Sequence, residues 1–351
     1  MSKIKMGVIG VGNISGVHIN GINRSPDAEL VAICDIDEGT LKIKGDKFKV
    51  PEDHRFKNHI DLLNCSDVDA VSICTPNNCH YPIAADAIRY NKPFALEKPV
   101  TMVYEEARRL RDMAAEKGLP HMVCFSYRFK AAARFARALV QQGFLGDIHH
   151  VYGRYLYGSA VTDDKPLVWR FRKETSGYGS LGDLGSHLVD LTRFIAGDFT
   201  KLTAGAGIFI GKRKLPGSDE IGAVDVDDYC DMIGTLDRGA AASLSVSRFA
   251  YARNNFQCIE VYGNKGGLIY TLKKGVDSLK ICAGEAYSCS EDYHEIAIPK
   301  QYQTDQMQSF FDVINGKGDG LAANMNDGAV NQLVLDSIAD AFENEKWVHL
   351  K

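Results

Sequence analysis

The sequence predicts a two-domain α/β protein: a doubly wound parallel sheet first, then an α+β domain built on a large, mostly antiparallel open sheet. Three observations predict it. Residues 3–124 alternate short, near-continuous apolar runs with longer amphipathic ones, the pattern of strands buried on both faces beneath helices. A glycine-rich turn follows the first of those runs, where a strand feeds a helix. After about residue 125, strand-like runs succeed one another through short turns containing Gly, Asn or Asp, as antiparallel strands do. The expected division is 1–124 and 125–351. A chain of 351 residues exceeds the usual size of one hydrophobic core, and 45% hydrophobic residues are enough for two.

In the first domain, 6–9, 30–33, 70–74, 94–96 and 121–124 read as strands. Residues 105–118 read as a helix, with Glu105 and Glu106 in its first turn, Lys117 in its last and Gly118 as its stop. Its arginines, Arg108, Arg109 and Arg111, read as a solvated face. In the second domain, 231–236, 242–246, 258–262 and 268–272 read as strands, framed by helices at about 130–142, 183–196, 302–315 and 326–344. One face of that sheet is left for a partner subunit, so a homo-oligomer is expected.

A net charge of -4 and the lack of a dense Lys/Arg run argue against nucleic acid and anionic membranes as partners. The apolar stretch at the start is too short for a signal-peptide core and no later run approaches a membrane span, so a cytoplasmic protein is expected. Nine cysteines, at 34, 65, 74, 79, 124, 230, 258, 282 and 289, form no Cys-x-x-Cys pair and read as reduced thiols.

Gly10-Val11-Gly12-Asn13-Ile14-Ser15-Gly16 is placed to let backbone N–H groups and a helix dipole meet a pyrophosphate, with Ser15 in the slot where the Rossmann fingerprint has glycine. A plain tight turn is the rival reading. Asp35, at the end of the second strand, suits the adenosine ribose hydroxyls. Ile36, Asp37 and Glu38 bring no arginine for a 2′-phosphate, which favours NAD over NADP; Lys42 and Lys44 are the nearest cations. Thr75 and Pro76 end the third strand at the carboxyl edge, and with His80 they are expected to line the cofactor cleft.

Glu97-Lys98-Pro99 follows strand 94–96 at the same edge. A lysine beside a nicotinamide suits proton exchange with a hydroxyl that is losing hydride, against the plainer reading of a surface lysine. Asp183, His187 and Asp190 fall at i, i+4 and i+7 along one helical stripe, with Leu184, Leu188, Leu191 and Ile195 on a separate apolar one. The polar stripe then faces a cleft, where the carboxylate orients the imidazole or binds a neighbouring hydroxyl; the competing reading is a helix cap beside a satisfied histidine. No third ligand stands at metal-site spacing, so no metal is expected.

Gly10-x-Gly12 with His18, Thr75-Pro76 with His80, Glu97-Lys98-Pro99, Tyr127-Arg128-Phe129 and Asp183-x-Gly185-x-His187-x-x-Asp190-Leu191 together resemble the Gfo/Idh/MocA oxidoreductases over nearly the whole chain. The resemblance implies that Lys98, Asp183 and His187 surround the reacting carbinol and that Lys98–Pro99 is a cis bond. It implies further that Glu97 belongs to the cofactor site and that Tyr127 and Arg128 lie at the substrate. It also implies that Trp169-Arg170 lies near the cofactor and that Tyr302 approaches the nicotinamide from the second domain.

The expected reaction is oxidation of a secondary alcohol on a sugar, glycoside or cyclic polyol. NAD takes hydride and His187 or Lys98 takes the proton, the two meeting at one nicotinamide. The loop 165–182 resembles that of relatives oxidising pyranosides, often at C3, and Tyr155, Tyr157 and Lys173 are candidate grips for hydroxyls. Alternatives are a redox-neutral NAD-dependent glycosidase of the same family, an inositol dehydrogenase and a non-catalytic NAD-binding sensor.

Overall fold

The computed structural model describes residues 2–283 and 293–350. They form two compact units: Met1–Phe125 with Thr304–Val330, and Ser126–Gln303 with Asn331–Lys351.

Unit 1 is a six-stranded sheet of β1 (Ile4–Ile9), β2 (Ala28–Cys34), β3 (Arg55–Phe56), β4 (Ala70–Ile73), β5 (Phe94–Leu96) and β6 (His121–Val123). The strands are all parallel in the order β3-β2-β1-β4-β5-β6. Every residue of β4 and β5 is buried, which is why these runs carry no polar alternation. The strand order reverses between β1 and β4, and ligands of open α/β sheets bind beyond the carboxyl ends there. The two-residue β3 escaped the sequence because it is too short for a period. Helices α1 (Ser15–Arg24), α2 (Glu38–Phe48), α3 (His59–Asn64), α4 (His80–Arg89) and α5 (Tyr104–Lys117) connect the strands. Gly118 ends α5 at φ 57, and Arg108 and Arg109 pair with Glu105 on its solvated side.

The returning segment Thr304–Val330 corrects the expected division. The helix Gln306–Ile314, read from sequence as part of the second domain, packs Met307 against Gly21 of α1, and Arg24 pairs with Asp305 at 2.8 Å. Val123 donates its N–H to Ala323 at 2.8 Å, and Ala323, Met325 and Ala329 join the core around Phe94, Leu96 and Val123. A single cut along the chain cannot represent a segment that comes back.

Unit 2 is built on β7 (Ile148–Leu156), β8 (Phe199–Gly207), β11 (Tyr229–Leu236), β12 (Ala241–Ser247), β13 (Phe256–Gly263), β14 (Gly266–Lys273), β15 (Val276–Ala283), β16 (His294–Glu295) and β17 (Val348–His349). A separate hairpin pairs β9 (Lys212–Lys214) with β10 (Ile221–Ala223). The nine-stranded order is β16-β15-β14-β13-β7-β12-β11-β8-β17, and every pairing but β7 with β12 is antiparallel. The alternating burial of β12 separates an inner face from an outer one. The outer face presents a shallow concavity lined by Tyr152, Arg154, Ser243, Ser245, Glu260 and Tyr262.

On the inner face lie α6 (Ala131–Gln141) and α8 (Ser186–Ala196), which is preceded by a π-helical turn, Leu181–Gly185; the short α7 (Lys173–Ser176) packs on the turn Trp169–Phe171. The expected polar and apolar stripes of 183–196 are only half realised. Leu184, Leu188, Leu191 and Ile195 are buried, but so are His187 and Asp190, because α8 is enclosed on nearly every side. Among the described residues no helix is long and apolar enough to cross a membrane. The described cysteines are free thiols; Cys289 lies outside the described residues.

Candidate active site

In unit 1 the candidate groups stand just past the carboxyl ends of β1, β2, β4 and β5. Gly10 has φ +83, and a Cβ there would lie 2.8 Å from the Cys74 carbonyl carbon and from the Thr75 nitrogen, so only glycine permits the close turn. A Cβ on Gly12 would meet open space, and Asn13 and Ile14 are exposed, so the backbone here is accessible to a ligand. Ser15 fills the third slot by burying its side chain and donating Oγ–H to the Gly12 carbonyl at 2.7 Å. The Asp35 carboxylate accepts from Val11 N–H at 2.8 Å and from Asp37 N–H at 3.0 Å. Each oxygen keeps a lone pair for a ribose hydroxyl. Lys44 donates to the Gly12 carbonyl at 3.3 Å. Turn, accessible backbone and strand-end carboxylate fit a dinucleotide.

Thr75 is half-buried and Pro76 exposed. His80 departs from the expected cleft lining: it is fully buried, with Nδ1 2.8 Å from the Pro99 carbonyl and Nε2 3.0 Å from the Thr75 carbonyl. Both ring nitrogens face backbone carbonyls, to one of which the neutral ring donates its single N–H, so His80 sits between two loops. Burial pushes its imidazole below the usual range, against the pull of the two carbonyls.

Lys98 is half-buried, and the Lys98–Pro99 bond is cis, as the resemblance implied. The preceding Glu97 is buried and turned inward, with Oε1 2.8 Å from His18 Nε2 and Oε2 accepting Lys98 N–H at 3.1 Å. Burial opposes its charge, yet the His18 hydrogen bond and the nearby His18 and Lys98 charges hold its carboxyl below the ordinary range.

In unit 2, Asp183 lies on the π turn and is half-buried, while His187 opens the first turn of α8. π turns inside helices are frequent at functional sites because the extra residue re-aims side chains. The turn is pinned by Asp227, which accepts from Gly179 N–H at 2.7 Å, Ser180 Oγ–H at 2.6 Å and Leu181 N–H at 2.7 Å. A Cβ on Gly179 would sit 1.8 Å from the Asp227 carbonyl oxygen, so that approach also requires glycine.

The Tyr127 ring stands edge-on to the His187 imidazole, 4.6 Å between centroids. Its hydroxyl lies 2.8 Å from that of Tyr155 and donates to Asn255 Oδ1 at 2.9 Å; Tyr155 also donates to Asn255. Burial pushes the Tyr127 phenol up and the Asp183 charge adds to it, so the group is a neutral hydrogen-bonding partner. Asp183 also acts on Lys165, whose ammonium is weakened by burial and by Arg248 and Arg213.

Arg128 departs from its expected place at the substrate. It and Asp190 form a bidentate ion pair, Nη2–Oδ1 2.6 Å and Nε–Oδ2 2.8 Å, at 5% and 1% exposure. The guanidinium is thus spent inside the unit, and Asp190 leaves the expected cleft-facing stripe. Trp169 is half-buried beneath the exposed Arg170, whose guanidinium lies 4.3 Å from its ring. Tyr302 stacks on Phe135 at 4.9 Å. Lys173, a candidate grip for hydroxyls, pairs instead with Glu343 at 3.1 Å.

Asp227, Asn255 and Lys165 had no role in the sequence reading. For Asn255 a signal existed: it follows Arg253-Asn254 and adopts φ 52, the left-handed conformation that asparagine tolerates in turns. Asp227 carried none, being one acid in a run of three among residues 225–228.

Known proteins resemble the chain in sequence and in fold. Residues 4–125 match the model of the oxidoreductase family with an NAD-binding Rossmann fold, and residues 133–269 match the GFO/IDH/MocA C-terminal domain. Levoglucosan dehydrogenase of Pseudarthrobacter phenanthrenivorans is 29% identical over 318 residues, covering 82% of this chain and 81% of that protein. Glucose-6-phosphate 3-dehydrogenase of Bacillus subtilis is 29% identical over 269 residues, covering 74% and 72%. The solved structure of a levoglucosan dehydrogenase in complex with NADH and L-sorbose superposes with a TM-score of 0.91 at 25% identity, covering 100% of both chains. The chain therefore belongs to the Gfo/Idh/MocA family and is an NAD-dependent oxidoreductase.

Proposed function

We propose that the protein oxidises a secondary hydroxyl of a pyranose sugar or glycoside, at C3, with NAD as acceptor. The observation that carries this reading is the cluster of Asp183, His187, Tyr127, Tyr155 and Asn255, a set of buried and half-buried hydrogen-bonding groups around one imidazole. Such a set matches the closely spaced hydroxyls of a sugar ring. Two relatives named for levoglucosan and for position 3 of glucose 6-phosphate support the substrate class.

Bound NAD supplies the hydride acceptor. The residues proposed to hold it are Gly10, Gly12, Asn13, Ile14, Asp35, Thr75 and Pro76, with Trp169, Arg170 and Tyr302 from unit 2; Glu97, expected in this set, turns its carboxylate inward onto His18 and the Lys98 N–H instead. His187 takes the hydroxyl proton, Asp183 orients the imidazole and binds the adjacent hydroxyl, and Lys98 polarises the reacting oxygen. Tyr127 stays protonated and fixes the imidazole plane. The outer face of the nine-stranded sheet, with Tyr152 and Tyr262, is proposed as the contact between copies of the chain, and the free thiols fit a cytoplasmic setting.

Purified protein incubated with NAD and a panel of pyranosides and inositols should reduce NAD in proportion to a product two mass units lighter. Lys98→Met should lower turnover by about 10²–10⁴-fold with NADH affinity held. Undiminished turnover removes Lys98 from the chemistry, and aglycone release without NADH replaces net oxidation by a redox-neutral cleavage.

A further inference from the structure

We infer that His18 is a positioning residue for Lys98, acting through the Glu97 carboxylate; this rests on the chemical role given to Lys98 above. His18 lies on α1, the helix that opens at the glycine turn, and is buried. Its Nδ1 is 2.7 Å from Ser72 Oγ of β4 and its Nε2 2.8 Å from Glu97 Oε1. The other carboxylate oxygen holds the backbone N–H of Lys98 at 3.1 Å. Three groups separated by 54 and 79 residues in sequence thus end on the peptide nitrogen of one lysine.

Two other uses of this cluster fail on chemistry. Serine, histidine and a carboxylate in line suggest acyl transfer, but Ser72 is sealed within the parallel sheet at 0% exposure and no acyl group reaches it. His18, Glu97 and Cys124 also offer three ligand atoms within 4.8 Å of one another. Both His18 nitrogens are already spent on Ser72 and Glu97, however, and burial raises the Cys124 thiol, which opposes the thiolate a metal needs.

What remains is mechanical. A glutamate side chain turns about three bonds, and the imidazole fixes one of its oxygens so that the other can hold the Lys98 N–H. His80 grips the far side of the same turn through the Pro99 carbonyl. The turn is held at the N–H of one residue and the C=O of the next, and the lysine between those two bonds is aimed. Precision of this kind matters because a displacement of about 1 Å in a reacting group costs about 10²-fold in rate.

The test is the double variant His18→Leu/Glu97→Leu, which removes the buried pair while leaving no lone charge behind. It should melt near the parent and bind NADH with similar affinity by fluorescence titration, while kcat falls about 10- to 100-fold. In cofactor-free protein, the rate at which Lys98 is acetylated, read by mass spectrometry, should change as well. His18→Gln, whose amide donates from nearly the Nε2 position, should recover most of the turnover. Combined with Lys98→Met, loss of the pair should cost nothing further, since both act through one group. Parental kcat and acetylation rate in the double variant, with Lys98→Met inactive, overturn the positioning role and leave Lys98 in place. An active Lys98→Met overturns both.

Discussion

Gly10, Asp35, Thr75 and Lys98 of unit 1 each sit one or two residues past the carboxyl end of a parallel strand, whereas the groups of unit 2 are held by partners far along the chain. The turn carrying Asp183 hangs on Asp227 across 46 to 48 residues, and Tyr127 reaches Asn255 across 128. In unit 1 the sheet topology itself gathers the site, because parallel strands bring their carboxyl ends to one edge. In unit 2 an antiparallel sheet offers no such edge, and side chains do the gathering. Damage to unit 1 should therefore appear as lost cofactor affinity or turnover, and damage to unit 2 first as lost stability.

The largest test is Arg128→Met, which removes the bidentate partner of Asp190 at 1% exposure. Urea unfolding should show a loss of about 3–5 kcal/mol, and Arg128→Met/Asp190→Leu should regain most of it. If the single variant instead raises KM at parental stability, Arg128 binds substrate after all. Asp227→Asn comes next: one anionic acceptor becomes a donor beneath three buried donors, and about 1–3 kcal/mol should go, with kcat falling as the π turn loosens. An unchanged melting temperature would show that the turn holds without it. Gly10→Ala should cost roughly 1–2 kcal/mol from its left-handed backbone, and its sharper effect should be weakened NADH binding in a fluorescence titration. Parental NADH affinity would detach the glycine turn from the cofactor.

Legibility followed the same divide. The strand-end positions of the glycine turn, Asp35 and Lys98 were legible because strand, turn and helix are adjacent in sequence, so one contiguous motif carries the position. Asp183 and His187 were put on one helical stripe by spacing, yet the π turn that carries Asp183 was not read, since one extra residue per turn leaves no mark in an apolar pattern. Asp190 was put on a cleft-facing stripe by spacing, Arg128 at the substrate by the resemblance, His80 in the cofactor cleft by its place after strand 70–74, and Lys173 at hydroxyls as a polar side chain. Each found a partner inside the protein: a carboxylate for the arginine, an arginine for the aspartate, two carbonyls for the histidine and Glu343 for the lysine. A polar side chain reads the same in sequence whether its partner is a ligand or a residue 62 positions away.

The sequence by itself determined the two architectures, the order of most elements and the cofactor class, because periodicity and strand-end motifs act over a few residues, and the resemblance of its motifs to known proteins gave the family. Only the tertiary structure decided that Thr304–Val330 returns to the first unit, that Arg128 and Asp190 close on each other, and that His18 stands behind Glu97. Those outcomes depend on which buried charge meets which across tens of residues. Burial demands a partner for every such group, but the chain's path, not its local pattern, chooses the partner.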